Sequence, residues 1–286
     1  MNFWLIQSMN SLAMGGVLFM LAAGFSLIFG LMRVANLSHG AYFMLGAYIG
    51  LHMLDHGQGF ATAAIAAALG VGLLGGIVER VILRRLGGNT LSQVLATLGV
   101  AFVIADGSLW MWGGDPRPVS APDFLSGGLQ LFGLTFPKYR VAVLVFSIAV
   151  GLGLWLLLDK TRLGMMIRAS VDDRQMAQGI GVPATKLFTV VFCLGTALAG
   201  LGGVIAAPIL SVYPGLDADM LPLALVVVIL GGLGSLAGAF VGSFAIGFIY
   251  TFGQVLFPDL AYMILFLPMV VILAARPRGL FGRIMA

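Results

Sequence analysis

Eight apolar stretches divide this chain, at 9–31, 40–54, 61–82, 91–112, 140–158, 187–209, 221–255 and 259–275. Most of them approach or exceed the roughly 20 apolar residues that a helix needs to cross the hydrocarbon of a bilayer. Over the whole chain 60% of residues are hydrophobic and 9% charged, and mean hydropathy is +1.07. A soluble domain carries about 25% charged residues, so most of this surface meets lipid. The fold class that follows is an all-α polytopic membrane protein of about eight segments, built as a single transmembrane domain over 1–286. Glycine is abundant, 41 of 286 residues, which suits close helix packing and interrupted helices in a medium without water.

The basic residues sort by side. Arg80, Arg84 and Arg85 follow the third stretch, Lys160, Arg162, Arg168, Arg174 and Lys186 lie between the fifth and sixth, and Arg276, Arg278 and Arg283 end the chain. That places eleven of the fifteen on one side, which the positive-inside rule makes cytoplasmic. The opposite side receives Arg117, Lys138 and Arg140 among Asp55, Asp115, Asp123, Asp217, Asp219 and Asp259. The expected orientation is N-terminus outside and C-terminus inside. A sequence pI near 9.5 therefore reflects topology and not nucleic-acid binding. Cys193 has no Cys or His near it in the sequence, so no disulfide and no metal site is expected. The first residues, MNFWLIQSMN, lack a basic leader and a cleavage site and are read as mature protein.

Two regions interrupt the apolar pattern. The stretch 221–255 is too long for one span and too short for two with a turn, and its middle reads GGLGS. Each glycine there weakens a helix by about 1 kcal/mol. A half-helix dipping from outside, a break near mid-membrane and a helix returning outward satisfy the length. In the other half, MRVANLSHG follows the first stretch. Paired interruptions suggest an internal repeat and point to a substrate route, because non-helical backbone survives in a membrane only where it is buried or lines a cavity. The candidate path residues are Asn36, Ser38, His39, Gly231, Gly232, Gly234 and Ser235. The ladders Gly234–Gly238–Gly242 and Gly72–Gly76 are read as helix contacts. For His39 a hydrogen-bonded packing role is favoured over a proton relay, and the Ser38–His39 pair lacks the third, orienting acid of a hydrolase.

Charges within the stretches are few. Arg33 closes the first and can snorkel, Glu79 and Arg80 close the third, and Asp106 lies about six residues from the outer end of the fourth. No acid is buried half-way, as an ion-coupled carrier would need. There is no GxxxxGK[ST] motif, so any ATP must be hydrolysed by another chain.

The polar run 159–186 breaks the greasy pattern most sharply, with five basic and three acidic residues. Ala169, Met176, Ala177 and Ile180 recur at near-helical spacing, Gly179 and Gly181 can end the helix, and Pro183 stops it. A short helix with small residues on one face, and an Asp pair that disfavours anionic lipid, suits insertion into a partner's groove. The candidate coupling residues are Gly164, Arg168, Ala169, Asp172, Asp173, Ala177, Gly179, Ile180 and Gly181.

GLMRVANLSHGAYFMLGAY, the Glu79–Arg80 pair, LATLG, LGMMIRASVDDRQMAQGIGV, FCLGTALAGLGGVIAAP and VVVILGGLGSLAGAFVG, in this order over nearly the whole chain, resemble the branched-chain amino acid ABC transporter permease family, and most closely the shorter of its two permease types. The resemblance implies an inner-membrane importer subunit paired with a second, related permease, two cytoplasmic ATPase subunits and a periplasmic solute-binding protein. ATP and Mg would sit on the ATPases, with no cofactor in this chain. It also places 164–181 in the region that contacts the ATPase. Relatives of such permeases serve urea, short amides and other small solutes. A passive small-solute channel would share the glycine-rich breaks without needing the structured loop, and a scaffold subunit would share the small-residue ladders without the matched breaks.

Overall fold

The computed structural model describes residues 2–32, 36–87, 89–131, 134–276 and 279–281. Arg33, Arg278 and Arg283, assigned above to a span end and the tail, lie outside the described residues. Every apolar stretch is helical: α1 (Asn2–Met32), α2 (His39–Asp55), α3 (Phe60–Val81), α4 (Thr90–Trp112), α5 (Lys138–Lys160), α8 (Ala184–Leu210) and α11 (Ala261–Ala275). The long stretch 221–255 divides, as its glycines require, into α9 (Leu216–Gly231) and α10 (Leu236–Leu256). The polar run holds α6 (Arg162–Asp172) and α7 (Arg174–Gly179). Among the described helices, α1, α3, α4, α5, α8 and α10 are long and apolar enough to cross a membrane. The helices α2, α9 and α11 have 17, 16 and 15 residues and are shorter than a full span.

The centre of the bundle is α1 and α8, wrapped by α2, α3, α9 and α10. Small residues let these backbones approach. A Cβ on Gly46 would collide with the backbone of Gly200, and one on Gly203 with the backbone of Phe43. Around these contacts Phe19, Phe25, Tyr42, Phe43, Tyr48 and Phe192 are fully buried. Helix α2 runs beside α8 in the same direction, Gly46 against Gly200 and Gly50 against Val204. Helix α10 runs against α1 in the opposite direction, Phe240 against Phe19 and Phe252 against Trp4. The outer helices α4 and α5 leave most of their apolar surface exposed, Trp110 by 88% and Val103 by 74%. Such surface is compatible with lipid or with other membrane chains and not with water. Asp106 lies on that exposed side of α4.

The bundle has two chemically distinct ends. One, the basic end, carries the 3₁₀ turn Leu83–Leu86 and the pair α6–α7. At the far end the α4–α5 connection folds into a hairpin that the sequence patterning did not suggest, β1 (Gly128–Leu131) paired antiparallel with β2 (Leu134–Pro137). This connection is tied down by an Arg117–Asp55 ion pair of 3.0 Å to the end of α2. Reciprocal backbone bonds of 2.8 and 3.0 Å join Arg117 to Val212, just past α8.

Candidate functional site

The first interruption is built from short-range polar bonds. The Ser38 hydroxyl donates to Asn36 Oδ1 at 2.6 Å and the Ser38 amide to the same oxygen at 3.2 Å. The His39 amide donates to the Asn36 carbonyl, and the Leu37 amide to Thr97 Oγ1 on α4 at 3.2 Å. Ser38 stands at the N-cap of α2 but makes no side-chain cap bond, since its φ of −78° and ψ of 0° depart from the extended conformation that turns a cap oxygen toward the helix amides. His39 is fully buried, bonds the Leu21 carbonyl through Nε2 at 2.9 Å and lies edge-on to Phe25. Since Leu21 is nine residues before Gly30 on α1, α2 starts about 13 Å along α1 from Gly30. Among the described residues, Asn36 Nδ2 and His39 Nδ1 are buried there without a hydrogen-bond partner.

The second interruption needs its glycines. Gly232 and Gly234 hold φ of +103° and +78°, a region costly for other L-residues. Ser235 then caps α10 by accepting from the Gly238 amide at 3.0 Å. The 231–235 segment sits against Gly30, whose added Cβ would come within 3.0 Å of Gly234 Cα. The chain past α11 closes it from the other side. The Leu280 and Phe281 amides donate to the carbonyls of Leu230 and Gly231 at 2.9 and 3.0 Å, filling acceptors that a helix C-terminus leaves open. The expected mid-membrane depth is thus corrected. The break lies level with the basic ends of α1 and α11, because α9 runs its full 16 residues before the glycines stop it. Among the described residues no hydrogen bond links Asn36, Ser38 or His39 to the 231–235 segment; the structure brings the first three together deep in the bundle and Gly231, Gly232, Gly234 and Ser235 together at its end. The ladders behave as expected. Gly238 and Gly242 pack on the backbone of α9, and Gly72 and Gly76 on α8 at Ala197 and Cys193.

The polar run is a helix pair and not the single helix that its spacing predicts. Asp173 takes an extended conformation and caps α7, accepting from the Met176 amide at 2.9 Å. An N-cap Asp competes with helix continuation, so the acidic pair ends one helix and starts the next. The predicted stripe also splits: Ala177 is 2% exposed, whereas Met176 and Ile180 project outward at 65% and 74%. The buried face is instead Gly164, Ile167 and Ser170. Gly164 is required at the α5–α6 corner because a Cβ there would overlap the Leu158 backbone. Arg168 fastens the same corner, bonding the Leu158 carbonyl and pairing with Asp159 at 3.1 Å. Ile167 packs on Leu187 and Val191 of α8, with Leu27 of α1 against the same cluster. Gly181, at φ +91°, turns the chain into Pro183 and α8. Ala169 is half-buried and Asp172 and Gly179 are exposed. The pair therefore shows solvent an apolar, partly acidic face while its back is fixed to α1 and α8.

Sequence reasoning missed one group. Glu79 is buried at 2% exposure and its partner is Arg84, at 3.0 Å, not the neighbouring Arg80, which is exposed. Thr189 of α8 donates to Glu79 at 2.8 Å, and Arg84 donates to Thr189 at 2.5 Å. Only the turn that follows α3 returns Arg84 to Glu79, and a five-residue spacing carries no helical signal for it.

Residues 8–273 match the family model described as branched-chain amino acid transport system / permease component. The chain belongs to that family. It is 28% identical to the high-affinity branched-chain amino acid transport system permease protein BraD of Pseudomonas aeruginosa, over 98% of this chain and 96% of the relative. It is 22% identical to the corresponding LivH of Escherichia coli K12, with the same coverage. Among solved structures, PsaBC from Streptococcus pneumoniae in complex with Fab aligns over 92% of this permease and 87% of that chain, at TM-score 0.52 and 18% identity, a likeness of fold.

Proposed function

We propose that this chain is one permease subunit of an ABC importer that moves branched-chain, apolar amino acids across the inner membrane. The observation that carries the proposal is the family match over nearly the whole chain, with full-length relatives that are branched-chain amino acid permeases. Its partners are a second, related permease, two cytoplasmic ATPase subunits that hold ATP and Mg, and a periplasmic solute-binding protein. The basic end faces the cytoplasm. There the ATPases grip α6–α7 through Met176, Ile180 and the acids Asp172 and Asp173. Gly164, Arg168, Ala169, Ala177, Gly179 and Gly181 set the shape and footing of that pair. Closure of the ATPase dimer presses on it, and its seat on α1 and α8 carries the displacement to both interruptions. The route past Asn36, Ser38 and the glycine segment offers few strong charges, which favours release over retention of an apolar solute.

The test is uptake of radiolabelled leucine by proteoliposomes that hold the whole assembly, with ATP inside and the solute-binding protein outside. ATP-dependent leucine uptake, competed by isoleucine and valine, is expected. Uptake of urea or a short amide in place of leucine would overturn the substrate, and leucine flux without ATP would point to a channel.

A further inference from the structure

The far end holds a cavity that neither the interruptions nor α6–α7 use. It measures about 540 Å³ and lies between the 120–127 segment, the start of α5 and the end of α8, within the roughly 300–1,000 Å³ typical of small-molecule sites. Its charges are arranged against the ordinary needs of a helix. Helix α5 opens with Lys138 and Arg140, has no acid in its first turn, and its N-cap Pro137 supplies no capping bond. Free amides and the dipole make a helix N-terminus positive, so cations there are unfavourable unless an anion joins them. Arg140, half-buried and lining the cavity, bonds Asn10 Oδ1. Asp123 lines the same cavity. Among the described residues it is not within ion-pair distance of Arg140 or Lys138, and neither cation has another carboxylate partner. The Tyr139 hydroxyl is already donated to the Ile205 carbonyl at 2.7 Å. Leu125, Pro208 and Ile209 give part of the wall an apolar character, and Ser120 and Ser126 line it too.

We propose that this cavity binds a free apolar α-amino acid, with its carboxylate on Arg140, its ammonium on Asp123 and its side chain against Leu125, Pro208 and Ile209. A simple anion would leave Asp123 facing it, and a simple amine would leave Arg140 uncompensated. A zwitterion carries both charges and answers both at once. The inference rests on the amino-acid permease function proposed above, and adds an acceptor site outside the route through the two interruptions.

The test is equilibrium binding of radiolabelled leucine to the assembly in nanodiscs, without the solute-binding protein. Competitors are leucinamide, which lacks the carboxylate, and 4-methylpentanoate, which lacks the ammonium. Arg140→Gln and Asp123→Asn are each expected to weaken leucine binding about tenfold or more. Arg140→Gln abolishes competition by 4-methylpentanoate and keeps that by leucinamide, and Asp123→Asn does the reverse. Asp123 is exposed and outside the helical core, so its variant guards against a folding defect at Arg140. Unchanged affinity in both variants, no leucine binding by the wild-type assembly, or a pattern of competition that the variants leave alone overturns the site. If the same wild-type assembly still imports leucine with the binding protein present, only the site falls; if it imports no branched-chain amino acid, the substrate assignment falls too.

Discussion

At the scale of single residues, Glu79 shows how much of a membrane protein's polar chemistry goes into holding helices together. Its carboxylate is buried, and Arg84 and Thr189 both donate to it, which fastens the end of α3 to the start of α8. Arg84 keeps 34% of its side chain exposed, so water offsets part of what the pair would otherwise contribute. A double-mutant cycle of Glu79→Ala and Arg84→Ala, read by denaturation of the purified protein, should give a coupling of about 1–2 kcal/mol. A coupling near zero would mean that solvent screens the pair and that Thr189 alone holds Glu79. The sequence announced charge at this span end but not its partner, because the chain direction after Val81 decides which arginine returns. Glycines were more legible. Their density announced close packing, yet which glycine meets which backbone, Gly46 with Gly200 or Gly30 with Gly234, depends on how the helices are arranged in space.

At the scale of elements, apolar length identified every long helix, and the glycines placed the cut between α9 and α10. Length alone could not set the depth of that cut. The pair α6–α7 was half legible. Its helical content and its stop at Gly181 and Pro183 followed from composition, but a near-helical spacing that bridges Asp173 counts residues across a cap as if the helix were continuous. The correction moves the expected docking contacts outward, onto Met176 and Ile180. Ile180→Asp alters a side chain that is 74% exposed, so the permease should fold and insert normally while ATPase subunits are lost from the purified complex. Ala177→Pro acts differently, removing the Ala177 amide bond to the Asp173 carbonyl, 3.0 Å long, at a cost of about 3 kcal/mol or more in a helix interior. It should abolish uptake by disordering α7 itself. If the Ile180→Asp assembly co-purifies with its ATPases and transports at the wild-type rate, the outward face of α7 is not the docking surface.

At the scale of the whole molecule, the asymmetry of charge is the feature from which an orientation is predicted. The two ends of the bundle differ in more than the number of basic residues. One end presents a short helix pair with apolar knobs, and the other a hairpin connection tied to α2 and to the segment after α8 by an ion pair and a backbone bridge. Positive charge near span ends resists translocation, so the end with Arg84, Arg85 and α6–α7 should remain in the cytoplasm. Two exposed positions report this without disturbing the core: Phe124 at the far end, 77% exposed, and Ile180 at the basic end. Cys193 →Ala supplies a background without thiols, since it is the sole cysteine of the chain, and alanine still fits against Gly76. On that background, in the permease expressed without its ATPases, Phe124→Cys should react with an impermeant maleimide in intact spheroplasts, and Ile180→Cys only after the membrane is opened. Labelling of Ile180→Cys in intact spheroplasts would invert the molecule. It would then put the far-end cavity in the cytoplasm and α6–α7 out of reach of any ATPase, so this one measurement decides the side on which each of the two proposed contacts is made.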